Sequence, residues 1–146
     1  MNIQQDFKEL LQLLEEHNVV YMIVGGYAVA FHGFPRFTKD IDLFFEATQE
    51  NIDKLIQALT DFGFSENELK YSTFLTKGNV ITFGVEPVRV DFMNQIDGVS
   101  FSAAKSGLVR GKYGDINVPF ISKKHLLQNK KATPRIKDKA DVEELS

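Results

Sequence analysis

Phe7, Leu10, Leu11 and Leu14 recur at three- and four-residue intervals with charged positions between them, a spacing that predicts an amphipathic helix over residues 4–17. The next apolar stretch has no such period. Val19 to Val24 is continuous and rich in β-branched residues, the pattern of a buried strand, and Gly25-Gly26 breaks it into a short helix at Tyr27 to His32. A connecting loop with Gly33 and Pro35 then leads to a strand at Asp40 to Phe45. Thr48 caps a helix over 49–61, in which Ile52, Leu55, Ile56 and Leu59 face inward and Gly63 supplies the stop.

Downstream, the pattern predicts strands at Ser72 to Thr76, Asn79 to Phe83 and Val88 to Met93, with Lys77-Gly78 as a hairpin turn between the first two. A short helix is expected at Phe101 to Ser106, then strands around Leu108 to Lys112 and Ile116 to Val118. Ser122 caps a helix through Lys131, Pro134 marks a break, and Arg135 to Leu145 forms the last helix. No repeat or linker interrupts the chain, so the expectation is one domain over 1–146, with C-terminal helices from about 122 packed on its core.

Composition narrows the class. At 43% hydrophobic and 25% charged, the 146 residues suit a globular fold rather than a disordered tail or a membrane bundle. The longest mainly apolar stretch, Val19 to Phe31, falls short of the ~18 residues a membrane span needs, and no secretory leader is evident, so a cytoplasmic protein is expected. With no Cys, disulfides, thiolate metal sites and a Cys nucleophile are excluded. Charge is uneven: residues 1–100 hold seven Lys/Arg against fifteen Asp/Glu, and residues 101–146 hold ten against five. That asymmetry fits either an acidic metal site facing a basic phosphate-binding surface or solvated helices.

Asp40 and Asp42 lie two apart in a predicted strand, so both carboxylates emerge on one face, as a divalent cation with hard oxygen ligands requires. Asp91 sits in another apolar strand, where an unpartnered charge would cost several kcal/mol. If the two strands pair, three carboxylates meet and repel one another unless a cation neutralises them. The alternative is that Asp91 simply forms an ion pair with Arg89 or Arg36. Gly25-Gly26 either lets the backbone approach a phosphate at a helix start or makes an ordinary tight turn. His17, His32 and His125 lack metal-ligand spacing, so zinc is not expected. Tyr27 either stacks on a base or belongs to the core.

Taken together, Ile23-Val24-Gly25-Gly26-Tyr27-Ala28, the Arg36-x-Thr38-x-Asp40-Ile41-Asp42-Leu43 run and Val90-Asp91-Phe92 resemble the nucleotidyltransferase superfamily, the polymerase-β-like fold. Thirteen residues separate Gly26 from Asp40, at the upper end of that pattern. The segment Lys130-Lys131-Ala132-x-x-Arg135-x-Lys137-Asp138-x-x-Asp141-Val142-x-x-Leu145 is similar to the closing helices of small bacterial members of the abortive-infection and minimal types. The resemblance runs from about Val19 to the end and implies an α+β fold, a mixed β-sheet flanked by helices with C-terminal helices.

The resemblance also implies transfer of a nucleoside monophosphate from a nucleoside triphosphate (NTP) to a hydroxyl, with release of pyrophosphate. Asp40 and Asp42 would hold the Mg²⁺ (or Mn²⁺) that bridges the triphosphate, and Asp91 would ligate a second cation or accept the hydroxyl proton. Gly25 and Gly26 would cradle phosphates and Lys130 would place a point charge on them. Arg36 and Thr38 would contact phosphate or acceptor, unless Arg36 only anchors its loop. Lys131 and Lys137 read as surface lysines, and Asp138 and Asp141 as a solvated helix face. RNA, protein or a small molecule remains open as acceptor, and the likeness to the abortive-infection type raises a toxin–antitoxin role with a protein partner from an adjacent gene. The competing readings are a regulatory protein that binds nucleotide or partner without turnover, and a metal-dependent phosphohydrolase.

Overall fold

A computed structural model describes residues 4–34, 38–85, 88–133, 140, 142, 143 and 145. The chain opens with helix α1 (Gln5–Glu16), strand β1 (Tyr21–Val24), helix α2 (Gly25–Phe31), strand β2 (Asp40–Phe45) and helix α3 (Gln49–Phe62). After a 3-10 turn (Glu66–Glu68) come helix α4 (Tyr71–Leu75), strands β3 (Val80–Val85) and β4 (Val88–Met93), helix α5 (Phe101–Gly107), strands β5 (Val109–Tyr113) and β6 (Ile116–Phe120), and helix α6 (Lys123–Ala132). The six strands form one mixed sheet in the order β3-β4-β2-β1-β6-β5. The expected α+β architecture is therefore present.

The helices form where the periodicity placed them. Phe7, Leu10, Leu11 and Leu14 are the buried face of α1, and Ile52, Leu55 and Leu59 belong to the buried face of α3. The side chains of Thr48 and Ser122 accept hydrogen bonds from the backbone N–H groups of Asn51 and His125, capping α3 and α6 as expected. Between them runs a continuous phenyl-rich cluster in which Phe45 contacts Phe74 and Phe92 edge-on, and Phe83 contacts Phe92 in the same way. Tyr27 is in that core, flanked by the rings of Phe7 and Tyr113 and 2% exposed, so it offers no face to a base.

Two expectations fail. Residues 72–76 are helical in α4 rather than a strand, so Lys77-Gly78 joins a helix to β3 and is not a hairpin turn. Side-chain hydrogen bonds from downstream hold the helical form: Asn94 donates to the carbonyls of Phe74 and Thr76, and the nearer Asn79 donates to that of Thr73. Strand β1 also starts two residues later than the apolar run does. Asn51, a buried polar residue on α3, satisfies the Val20 N–H and donates to the carbonyls of Val20 and Glu46, standing in for the ladder bond between Val20 N–H and Glu46 C=O while Glu46 N–H still bonds Val20 C=O. The last expected helix, Arg135 to Leu145, lies mostly outside the described residues. Among the described residues no helix is long and apolar enough to cross a membrane.

Candidate active site

The site grows from the middle of the sheet. Strand β2 pairs antiparallel with β1, setting Asp42 opposite Val24, and parallel with β4, setting Asp42 beside Asp91 and Asp40 beside Arg89. Strand β3 completes the row by placing Thr82 beside Asp91. Because side chains two apart share a sheet face, Asp40 and Asp42 on β2 and Arg89 and Asp91 on β4 form a four-cornered array. Ile41 and Leu43, the alternate residues of β2, are buried.

Three carboxylates and one guanidinium therefore share this face. Arg89 donates through Nε to Asp91 Oδ1 at 3.3 Å and through Nη2 to Asp91 Oδ2 at 3.1 Å, while its Nη1 lies 3.7 Å from Asp40 Oδ2. Thr82 donates to Asp91 Oδ1 at 2.7 Å. Asp91 is only 7% exposed, and these donors satisfy its buried carboxyl oxygens. Asp40 Oδ1 is buried with no hydrogen-bond partner among the described residues. Burial, together with the negative charges of Asp91 and Asp40, pushes the Asp42 carboxyl up to about 7, and Lys130 offsets part of that rise.

The diglycine turn closes over the same face. Gly25 adopts φ +68°, and a Cβ there would stand 2.1 Å from Asp42 Oδ2; a Cβ on Gly26 would stand 2.2 Å from Thr38 Cγ2. Both positions demand glycine for space, and Gly25 also for its backbone conformation. The glycines, Thr38, the three aspartates and Lys130 all line one open cleft of about 690 Å³. Lys130, on α6, is 5% exposed, whereas Lys131 points to solvent as expected. Arg36, Lys137, Asp138 and Asp141 lie outside the described residues.

Sequence reasoning weighed Arg89 only as an ion-pair partner and overlooked Thr82. The pair Arg89 to Asp91 carries the same two-residue spacing as Asp40 to Asp42, a signal that would have placed Arg89 on the acidic face. Lys39, Gln95, Asp97, Asn129 and Thr133 also line the cleft and come from loops and from α6, without a pattern of their own. The histidines are otherwise engaged: His17 with Asp61, His32 with the carbonyl of Ile121, and His125 with the Ser122 hydroxyl.

The donor set suits a hard divalent cation. Carboxylates are its preferred ligands, Asp40 Oδ1 has no partner among the described residues, and burial together with two neighbouring acids raises the Asp42 carboxyl despite the Lys130 charge. In the arrangement observed, no three acidic or imidazole side chains among the described residues are grouped as metal ligands.

The fold and this cleft agree with what comparison with known proteins finds. Residues 3–138 match the family described as nucleotidyl transferase of unknown function (DUF2204), and the chain belongs to that family. Among solved structures it is similar to the lincosamide antibiotic adenylyltransferase LnuA in its lincomycin-bound form (20% identity, TM-score 0.57, covering 99% of this chain and 98% of that one). It is also similar to a Thermotoga maritima protein assigned as a nucleotidyltransferase (14%, TM-score 0.64, covering 98% and 94%). A third likeness is to ANT(2″)-Ia in complex with adenylyl-2″-tobramycin (16%, TM-score 0.60, covering 95% and 84%). At these identities the likenesses establish the shared fold, that of the nucleotidyltransferase superfamily. No curated protein sequence matches this one.

Proposed function

We propose that this chain is one domain whose cleft transfers a nucleoside monophosphate from an NTP to a hydroxyl acceptor, releasing pyrophosphate in a metal-dependent reaction. The observation that carries the reading is the register that sets Asp42 beside Asp91, with Asp40 two residues away, beneath the diglycine turn. In this reading Asp40, Asp42 and Asp91 hold Mg²⁺ or Mn²⁺, which when bound neutralises the triphosphate and acidifies the acceptor hydroxyl. Gly25 and Gly26 leave the backbone bare where the phosphates approach. Thr38 bounds that approach at the end of β2, and Lys130 aims a buried ammonium at the same cleft. Asp91, supported by Thr82, is the group nearest to a role in orienting the attacking hydroxyl and receiving its proton. Arg36 remains part of the proposal as a phosphate or acceptor contact.

The test uses triphosphates labelled at the α- or γ-phosphate, with Mg²⁺ or Mn²⁺ and a cell extract. The α-label is expected to enter an acceptor and the γ-label to leave as pyrophosphate, both abolished by Asp42→Asn. Release of inorganic phosphate would instead mark a phosphohydrolase. The antibiotic adenylyltransferases with which it shares its fold support a small hydroxylated molecule as acceptor. Label entering RNA or a protein would point to the alternative acceptors, including a partner encoded nearby in a toxin–antitoxin pair, and fractionating the extract separates the three.

A second reading, binding without turnover, is favoured by one observation: Arg89 already neutralises Asp91 and approaches Asp40, as a structural ion-pair cluster would need. Calorimetry that detects Mg²⁺-dependent NTP binding with no transfer to any extract fraction would select it.

A further inference from the structure

We infer that Arg89 is the resident counter-ion of the acidic array and has to release Asp91 and Asp40 before these carboxylates can ligate a divalent cation. The inference rests on the metal-dependent reading above and assigns within it a positioning role to a residue the sequence pattern did not single out.

Lone pairs carry the case. Asp91 Oδ1 already accepts from both Thr82 and Arg89 Nε, and Oδ2 accepts from Arg89 Nη2, so three of about four lone-pair directions are taken and the guanidinium fork covers the pair a chelated cation would use. The third nitrogen, Nη1, leans toward Asp40 Oδ2 at 3.7 Å while Asp40 Oδ1 stays buried with no hydrogen-bond partner among the described residues. Arg89 thus bridges the two strands that carry the acids, from the corner of the array beside Asp40. It is also able to leave. Its side chain is 39% exposed at the cleft, against 10% for that of Asp91, so the guanidinium has open solvent to turn into. The exchange replaces one positive charge by another: the acids are never left without a cation, and the displaced guanidinium stays in the cleft wall.

The experiment measures Mn²⁺ affinity by calorimetry for the wild type, Arg89→Gln and Arg89→Lys, without nucleotide. Removing a competitor should tighten binding about tenfold in Arg89→Gln, the equivalent of roughly 1.4 kcal/mol. Arg89→Lys, which keeps charge but loses the fork, should fall between. Unchanged or weaker binding in Arg89→Gln overturns the inference. In parallel, wild-type protein carrying ¹⁵N-arginine should show an Arg89 Nε–H slow to exchange in EDTA and fast to exchange with saturating Mg²⁺, and protection that persists with Mg²⁺ overturns it even if the Gln variant does not fold. The two readings fail differently. If Asp42→Asn abolishes Mn²⁺ binding but Arg89→Gln does not tighten it, only the exchange is lost, whereas no Mn²⁺ binding by any form sinks both.

Discussion

Asp42 on β2 and Asp91 on β4 are parallel-sheet neighbours, held side by side although 49 positions of sequence separate them. Burial, and after it the negative charges of Asp91 and Asp40, push the Asp42 carboxyl up to about 7.

The sign of the resulting pH effect follows from proton counting. Between the ordinary carboxyl value of 3.8 and about 7 the folded protein keeps a proton on Asp42 that the unfolded chain has lost, so stability falls as pH rises through that window. The deficit is complete above pH 7 and is on the order of 4 kcal/mol. In EDTA, Asp42→Asn should therefore be more stable than wild type at pH 8 and little different at pH 4, while losing transfer activity. Urea denaturation at the two pH values checks it; equal stability at pH 8 would contradict the crowding of the three acids.

Gly25→Ala and Gly26→Ala should separate. At Gly25 the added methyl meets Asp42 Oδ2 and the backbone resists φ +68°, so we expect a loss of about 1–2 kcal/mol in stability together with loss of Mn²⁺ binding. At Gly26 the methyl meets a Thr38 methyl, which can rotate, so metal binding should survive while NTP affinity drops. Calorimetry with Mn²⁺ and then with NTP reads both.

Lys130 faces the acids from α6 and lowers the Asp42 carboxyl by its charge. In Lys130→Met that carboxyl should titrate higher, and the KM for NTP should rise at least tenfold with a smaller change in kcat if the ammonium binds triphosphate equally in ground and transition states. Carboxyl ¹³C titration and steady-state kinetics are the two measurements.

Asn51 lies far from the chemistry and is predicted to matter for folding alone. Asn51→Ala strands the Val20 N–H and the Glu46 carbonyl, while the Val20 carbonyl keeps the Glu46 N–H, a cost of about 2–4 kcal/mol in chemical denaturation. Metal affinity of the folded fraction should not change.

Local periodicity was enough to read most of the fold. The apolar spacing in α1 and α3, the caps at Thr48 and Ser122, the extent of β2 and β4 and the shared face of Asp40 and Asp42 all depend on neighbours a few residues away. Such neighbours leave their mark on the order of residues. The expected strand at Ser72 to Thr76 is helical instead because a short stretch of Ser, Thr, Phe and Leu suits either element, and its carbonyls are taken up by the side chains of Asn94, eighteen or more residues on, and of nearby Asn79.

What the sequence determined by itself was which residues could do chemistry: the diglycine turn, a pair of acids on one strand face and a third acid in an apolar strand. Only the tertiary structure decided that β4 lies beside β2, that Arg89 and Thr82 take hold of Asp91, and that Lys130 is drawn into the cleft wall. The division has a physical cause. Alternation along a strand is set by the backbone of that strand, but the choice of a strand's neighbour depends on how the whole core packs, and the charge array exists only once that choice is made.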